Sequence, residues 1–163
     1  MELKLVIGNK NYSSWSMRVW MAMKCFDFEF DETRVALFST GYKEALAAYS
    51  PSARVPVLID GDIATYDSLA ICEYLAELKP QMWPKKKADR ATARSVAAEM
   101  HASFFHIRDQ LPPNCRLKTK LPSISTAVQQ EMGPLSLTNT FATCEKCSPL
   151  LVVRLLKSKG VWS

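Results

Sequence analysis

No stretch of this chain of 163 residues stays apolar for the ~20 residues that a membrane-spanning helix needs. The N-terminus, Met-Glu-Leu-Lys, runs straight into a strand pattern and lacks the charged and apolar regions of a secretory signal. Both absences point to a soluble, cytoplasmic protein without a membrane partner. Histidine is scarce: His101 and His106 are the only two, and both fall on one helical pattern, where they read as surface or packed residues. The five cysteines are odd in number and scattered, which in a cytoplasmic chain means free thiols. Cys25 and Cys72 lie on apolar stretches and read as core packing. Cys144 and Cys147 have zinc or redox spacing, but no second pair, no nearby histidine and no preceding strand; no metal is expected.

Aspartate is missing after Asp109. Residues 1–109 carry 14 basic and 14 acidic side chains, whereas residues 110–163 carry 7 basic and only 2 acidic ones, Glu131 and Glu145. The whole net charge of +5 therefore belongs to the last third, not to a patterned face, and no nucleic-acid partner is expected. Lys85-Lys86-Lys87 reads as a solvated linker.

The first eighty residues alternate between strand and helix patterns. Leu3–Gly8 is a strand. Ser14–Phe26 is a helix, apolar nearly all round, with Arg18 and Lys24 as its only charges. Phe28–Leu37 alternates as a half-exposed strand does. Gly41–Tyr49 is a short helix stopped by Ser50-Pro51. Val55–Ile59 and Ile63–Tyr66 flank Asp60-Gly61-Asp62 as a hairpin. Ser68–Leu78 is a helix with Leu69, Cys72, Leu75 and Leu78 on one side. The order is β-α-β-α-β-β-α. A proline-containing linker follows, with Trp83 docking on one of the units it joins, and then one long helix over Ala88–Leu111. Its apolar side is Ala93, Ala97, Met100, Phe104, Ile107 and Leu111, and Pro112-Pro113 stops it. Beyond Asn114 the patterning fades: Ser125–Met132 fits a short helix, and residues after Gly133 are aperiodic.

Chemistry concentrates at Asn11-Tyr12-Ser13-Ser14-Trp15-Ser16-Met17-Arg18. Hydroxyls gather where a strand hands over to a helix. Unpaired N–H groups and the positive end of the dipole favour an anion there, whether carboxylate, phosphate or thiolate.

Three features then coincide in order. They are the serine-rich element between the first strand and first helix, Val55-Pro56 after Ser50-Pro51-Ser52-Ala53-Arg54, and Asp67-Ser68 within Tyr66-Asp67-Ser68-Leu69-Ala70-Ile71. Together they resemble the thioredoxin-like N-terminal domain of the cytosolic glutathione transferases. The Ser-Ser-x-Ser-x-Arg element is similar to the zeta-like branch and related bacterial enzymes. The resemblance covers residues 1 to about 115. It implies an α/β thioredoxin-like glutathione-binding domain over 1–79, a linker over 80–87, the start of an all-α domain over 88–132 and an atypical tail over 133–163.

It also implies a glutathione transferase of the detoxifying kind, with glutathione as cosubstrate, a small electrophile as second substrate, and a homodimer built through the third helix and the long helix. Free thiols ionise near pH 8.5, so the protein must favour the thiolate, the nucleophilic form. Ser13 is the first candidate donor to it, because it aligns with the first serine of the zeta-like element. Ser14 is second, with helix capping as its other role, and Tyr12 third. Val55 offers its N–H and C=O to the extended peptide beside a cis bond to Pro56. Ser68 suits the γ-glutamyl carboxylate and Asp67 its ammonium group. Arg18 is either a structural partner or a ligand contact, Arg54 could reach a glutathione carboxylate, and Asn114 weakly resembles an asparagine near the second-substrate site.

The chain departs from the family after about residue 132, where the helical pattern fails and the Ser/Thr-x-x-Asp cap of the second domain is absent. The tail reads as a different reading frame, an alternative splice or a truncation. Two further functions therefore stand beside the transferase: a glutathione-dependent cis–trans isomerase of a maleyl-type diacid, and a non-catalytic or truncated transferase-like module. A thiol–disulfide oxidoreductase is disfavoured, because serines stand at 13 and 16 where redox chemistry needs cysteines.

Overall fold

The structure is a computed structural model and describes residues 2–110, Asn114 and residues 125–131. The chain divides into two compact units, with the boundary between Met82 and Trp83. The first unit holds β1 (Leu3–Ile7), α1 (Ser14–Cys25), β2 (Phe30–Arg34), α2 (Tyr42–Ala47), β3 (Val57–Asp60), β4 (Ile63–Tyr66) and α3 (Ser68–Leu78), followed by a 3₁₀ turn at Pro80–Met82. The sheet order is β2-β1-β3-β4. β1 runs parallel to β2, with Leu5 opposite Glu32, and antiparallel to β3, with Leu5 opposite Leu58. β3 and β4 form the expected hairpin. This is a thioredoxin-like mixed sheet.

Strand alternation sorts β1 between two cores. Leu3, Leu5 and Ile7 pack with Val19 and Met23 of α1, with Leu58, and with Ile71 and Leu75 of α3. Val6 points the other way and joins Val57 and Leu46 of α2. Helices thus cover both sheet faces, with α1 and α3 on one and α2 on the other. As its composition implied, α1 is mostly enclosed: Ser16, Val19, Met21, Ala22, Met23 and Cys25 are buried. A β-carbon on Gly8, just past β1, would lie 2.6 Å from Leu37 Cδ1, so a larger residue there would have to push the end of the Leu37 side chain aside.

The second helix covers Tyr42–Ala47 where Gly41–Tyr49 was expected, and two strands in this unit begin two residues later than the sequence reading. The second strand covers only Phe30–Arg34, because its one neighbour, β1, offers partners only over Leu3–Ile7. The third strand begins at Val57, so Val55 and Pro56 precede the ladder and do not open it.

The second unit holds α4 (Lys87–Ala102), α5 (Phe105–Gln110) and α6 (Thr126–Glu131). The long helix expected over residues 88–111 is broken. Phe104 takes a left-handed backbone, φ 66°. Arg108 donates to the carbonyls of Ser103 and Met100 at the break, so a side chain satisfies acceptors that a continuous helix would have paired. Apolar residues every three or four positions continue across one such residue, so the spacing could not reveal the break. Arg94 lies over the Trp83 ring, giving that tryptophan its docking place within this unit. Leu111, Pro112-Pro113, Cys115, Cys144, Cys147 and the expected tail over 133–163 lie outside the described residues.

Candidate functional site

The β1–α1 connection is built from local hydrogen bonds. Asn9 Oδ1 accepts the Asn11 N–H at 3.0 Å, an Asx turn. The Asn9 carbonyl accepts the N–H groups of Tyr12 and Ser13. Ser13 then caps α1 with an extended backbone, its Oγ accepting the Ser16 N–H at 3.4 Å, the usual work of serine at this position. The Ser13 hydroxyl also donates to Ser16 Oγ at 2.9 Å. Ser16 Oγ in turn accepts the Gly8 N–H at 3.1 Å. Ser13 and Ser14 are half-buried, Ser16 is fully buried, and Tyr12 stands 62% exposed. Capping falls to Ser13; Ser14, the alternative cap, is the first residue inside the helix.

Asp67 occupies the β4–α3 corner with φ 76° and ψ 131°, a conformation that L-residues hold only under constraint. Its carboxylate caps α3 by accepting the N–H groups of Leu69 at 2.9 Å and Ala70 at 3.2 Å. Next to it, Ser68 is 1% exposed. Its Oγ accepts a bond from Arg18 Nη1 at 3.2 Å, and the Arg18 guanidinium stacks on Trp15, 4.7 Å from the ring centroid. Arg18 therefore ties the N-terminus of α3 to the first turn of α1. Val55 precedes the β3 ladder and is joined to Pro56 by a cis peptide bond. Arg54 beside it is exposed.

The first unit thus holds Tyr12, Ser13, Ser14, Arg18, Arg54, Val55, Pro56, Asp67 and Ser68. The 3.2 Å bond joins Arg18 to Ser68; Tyr12 faces solvent. Asn114 belongs to the second unit and is exposed there. Among the described residues no group of histidine, cysteine or acidic side chains could hold a metal ion, and no helix is long and apolar enough to cross a membrane.

Cys72 lies one turn into α3 from Ser68. Burial pushes its thiol from the ordinary 9.0 up to about 11, against a smaller lowering by the Arg18 charge. A thiol that ionises less readily when folded adds stability that is complete below pH 9.0 and is lost as pH rises toward about 11. Iodoacetamide mapped by mass spectrometry should leave Cys72 unmodified at pH 8 in the folded chain and modify it as pH approaches that value. Rapid modification at pH 8 would show that the thiol is not held this way.

Sequence reasoning missed Ser16 and Trp15. Ser16 had a signal: a serine on an otherwise apolar face, three residues after a cap, where a capping box would carry a glutamate or glutamine. Trp15 had none, because stacking on Arg18 depends on side-chain direction.

Comparison with known proteins adds to this geometry. Residues 12–78 match the family described as glutathione S-transferase, N-terminal domain. A probable maleylacetoacetate isomerase of Caenorhabditis elegans is 39% identical over 87 residues, 52% of this chain and 39% of that protein. One of Vibrio cholerae is 35% identical over 112 residues, 66% of this chain and 52% of that protein. A Burkholderia (BGR1) glutathione transferase homolog, solved with bound glutathione, superposes with TM-score 0.56 at 26% identity, covering 68% of this chain and 60% of its own. The chain spans about half or less of the length of these curated relatives.

Proposed function

With residues 12–78 a glutathione S-transferase N-terminal domain, which places this chain in that family on the zeta-like side, we propose that it binds glutathione and stabilises its thiolate for attack on a small electrophile. The observation that carries this reading is the tie between two helix N-termini. Arg18 bonds Ser68, so the first turns of α1 and α3 are fixed to each other within one unit. Both ends favour negative charge: α1 the thiolate, α3 the γ-glutamyl carboxylate. Asp67, which caps α3 through its carboxylate, stands beside Ser68 as the partner for the γ-glutamyl ammonium. Val55, outside the ladder, offers its N–H and C=O to the cysteinyl unit as an added strand. Arg54 lies alongside for a carboxylate.

In a transferase cycle the glutathione thiol gives its proton to water. The sulfur lone pair then forms a C–S bond, and the electrophile's leaving group departs with its electron pair. A second reading is favoured by the two relatives, both named as probable maleylacetoacetate isomerases. There the thiolate adds to a conjugated cis double bond, the resulting single bond rotates, and expulsion of the sulfur restores a trans double bond and free glutathione.

Calorimetry of the purified chain with glutathione tests the common step, and assays with a haloalkyl electrophile and with a maleyl-type diacid separate the two outcomes. Saturable binding with conjugate formation supports the transferase. Isomerised diacid with glutathione unconsumed supports the isomerase. Binding without turnover leaves a transferase-like module, and a folded chain that does not bind overturns the reading. The homodimer belongs to the same proposal, and light scattering in that buffer should give twice 18.3 kDa.

A further inference from the structure

Gly8, Ser16 and Ser13 line up behind the N-terminus of α1. The Gly8 amide donates to Ser16 Oγ at 3.1 Å, and Ser16 Oγ lies 2.9 Å from Ser13 Oγ. The row runs from a buried backbone group through a fully buried hydroxyl to a half-exposed one.

We propose that Ser16 is the positioning residue of the thiolate donor, and that Gly8 N–H, Ser16 O–H and Ser13 O–H form a relay whose bonds all run toward the glutathione sulfur once it is bound. The inference rests on the glutathione-binding reading above. In the free chain the Ser13 hydroxyl donates to Ser16. A hydroxyl has one proton and two lone pairs, and its proton rotates to suit its surroundings. When the sulfur arrives, Ser13 turns its proton to the thiolate and Ser16 turns its own proton to Ser13. The Ser13–Ser16 bond reverses with no movement of heavy atoms. The Gly8 amide can only donate, so it holds one lone pair of Ser16 Oγ in either arrangement and strengthens Ser16 as a donor. Each donor then polarises the next, and Ser13 becomes a stronger donor than an isolated serine. The thiol proton has left to water, and no bond to carbon forms at this stage.

The same arrangement distinguishes Ser13 from Ser14. Among the described residues no group donates to the Ser14 hydroxyl, so nothing strengthens it. Ser16 is fully buried, so water cannot replace its hydroxyl. The cations of this segment are committed elsewhere: Arg18 to Ser68 and Trp15, Lys10 to Glu32 at 2.7 Å. Hydroxyls and backbone amides are left to hold the anion.

The test is the pKa of the bound glutathione thiol, read from thiolate ultraviolet absorbance against pH, in the wild-type chain, Ser13→Ala, Ser16→Ala and the double variant. Ser13→Ala should raise it by about one to two units, toward the free value near 8.5. Ser16→Ala should raise it by about half a unit. The double variant should match Ser13→Ala, because Ser16 acts only through Ser13. A merely structural Ser16 would change stability and leave this pKa alone. Ser16→Cys keeps a γ-atom with a weak donor at the cost of a slightly larger side chain, and it should fall between wild type and Ser16→Ala; it also serves where Ser16→Ala does not fold. Three results overturn the proposal: an unshifted pKa in both folded Ser16 variants, additive shifts in the double variant, or a shift on Ser14→Ala in place of Ser13→Ala. Failure of the wild-type chain to bind glutathione appears before any variant is made, and it removes the binding reading and this inference together.

Discussion

Replacing Ser13 with alanine is expected to lower kcat/KM for glutathione turnover near pH 7 by about ten- to a hundredfold, the loss of thiolate that follows when its pKa rises by about one to two units. On the proposed reading glutathione affinity should change far less, because Val55 and the Asp67-Ser68 corner, which this substitution leaves intact, would hold most of the peptide. The experiment is complicated by the second role of Ser13. It caps α1, so alanine should also cost about 1 kcal/mol of stability, and a lost activity could be blamed on a loosened helix. Ser13→Gly separates the two roles. Glycine caps a helix within a few tenths of a kcal/mol of serine but has no hydroxyl. The glycine variant should therefore melt close to the wild type and be as inactive as the alanine variant. Ser13→Thr, which keeps both cap and hydroxyl, should retain much of the activity. A Ser13→Gly chain that turns over normally would remove Ser13 from the chemistry and leave it a cap.

The residues that position this site were legible in unequal measure, and the reasons are physical. The order β-α-β-α-β-β-α could be read because β1 is a short apolar run, α1 is apolar nearly all round, and the Asp60–Asp62 turn announces its hairpin. Those signals come from burial, which periodicity reports directly. The chain entry into α1 and α3 could also be read, because serine and aspartate reveal helix starts through their own chemistry. What could not be read was which residue takes which partner. Arg18 was open between structural tie and ligand contact, and it bonds Ser68 fifty residues away. Such a bond depends on how α1 and α3 pack, and no local pattern encodes it. Ser16 looked like part of a hydroxyl cluster but is buried behind it. The break at Phe104 escaped because one left-handed residue shifts the helix axis without disturbing apolar spacing. Sequence pattern reported the elements and their caps; tertiary packing assigned the partners of their side chains.

The dependence of the site on packing leads to the second large effect, far from any ligand-facing group. Ile71 is fully buried in α3, in the cluster with Leu5, Val19, Leu58 and Leu75. Ile71→Ala should cost about 2–5 kcal/mol, the removed apolar surface plus the cavity left behind. Against the 5–15 kcal/mol that holds a typical domain, that is a large fraction, and the melting temperature should fall by about 10 °C or more. Ile71→Val should cost only about 1 kcal/mol. The consequence for glutathione follows from the backbone. The Ile71 N–H donates to the Asp67 carbonyl at 2.9 Å, so the first turn of α3, with Ser68 and the strained Asp67 corner, is seated on the same residue that fills the core. A chain that remains folded after Ile71→Ala should bind glutathione more weakly although the altered side chain touches no ligand, and ligand-dependent melting should show a smaller stabilisation at a given glutathione concentration than in the wild type. If melting drops as expected while that stabilisation stays at its wild-type size, the α3 corner is held by its caps and by Arg18 alone, and core packing sets stability without setting the site.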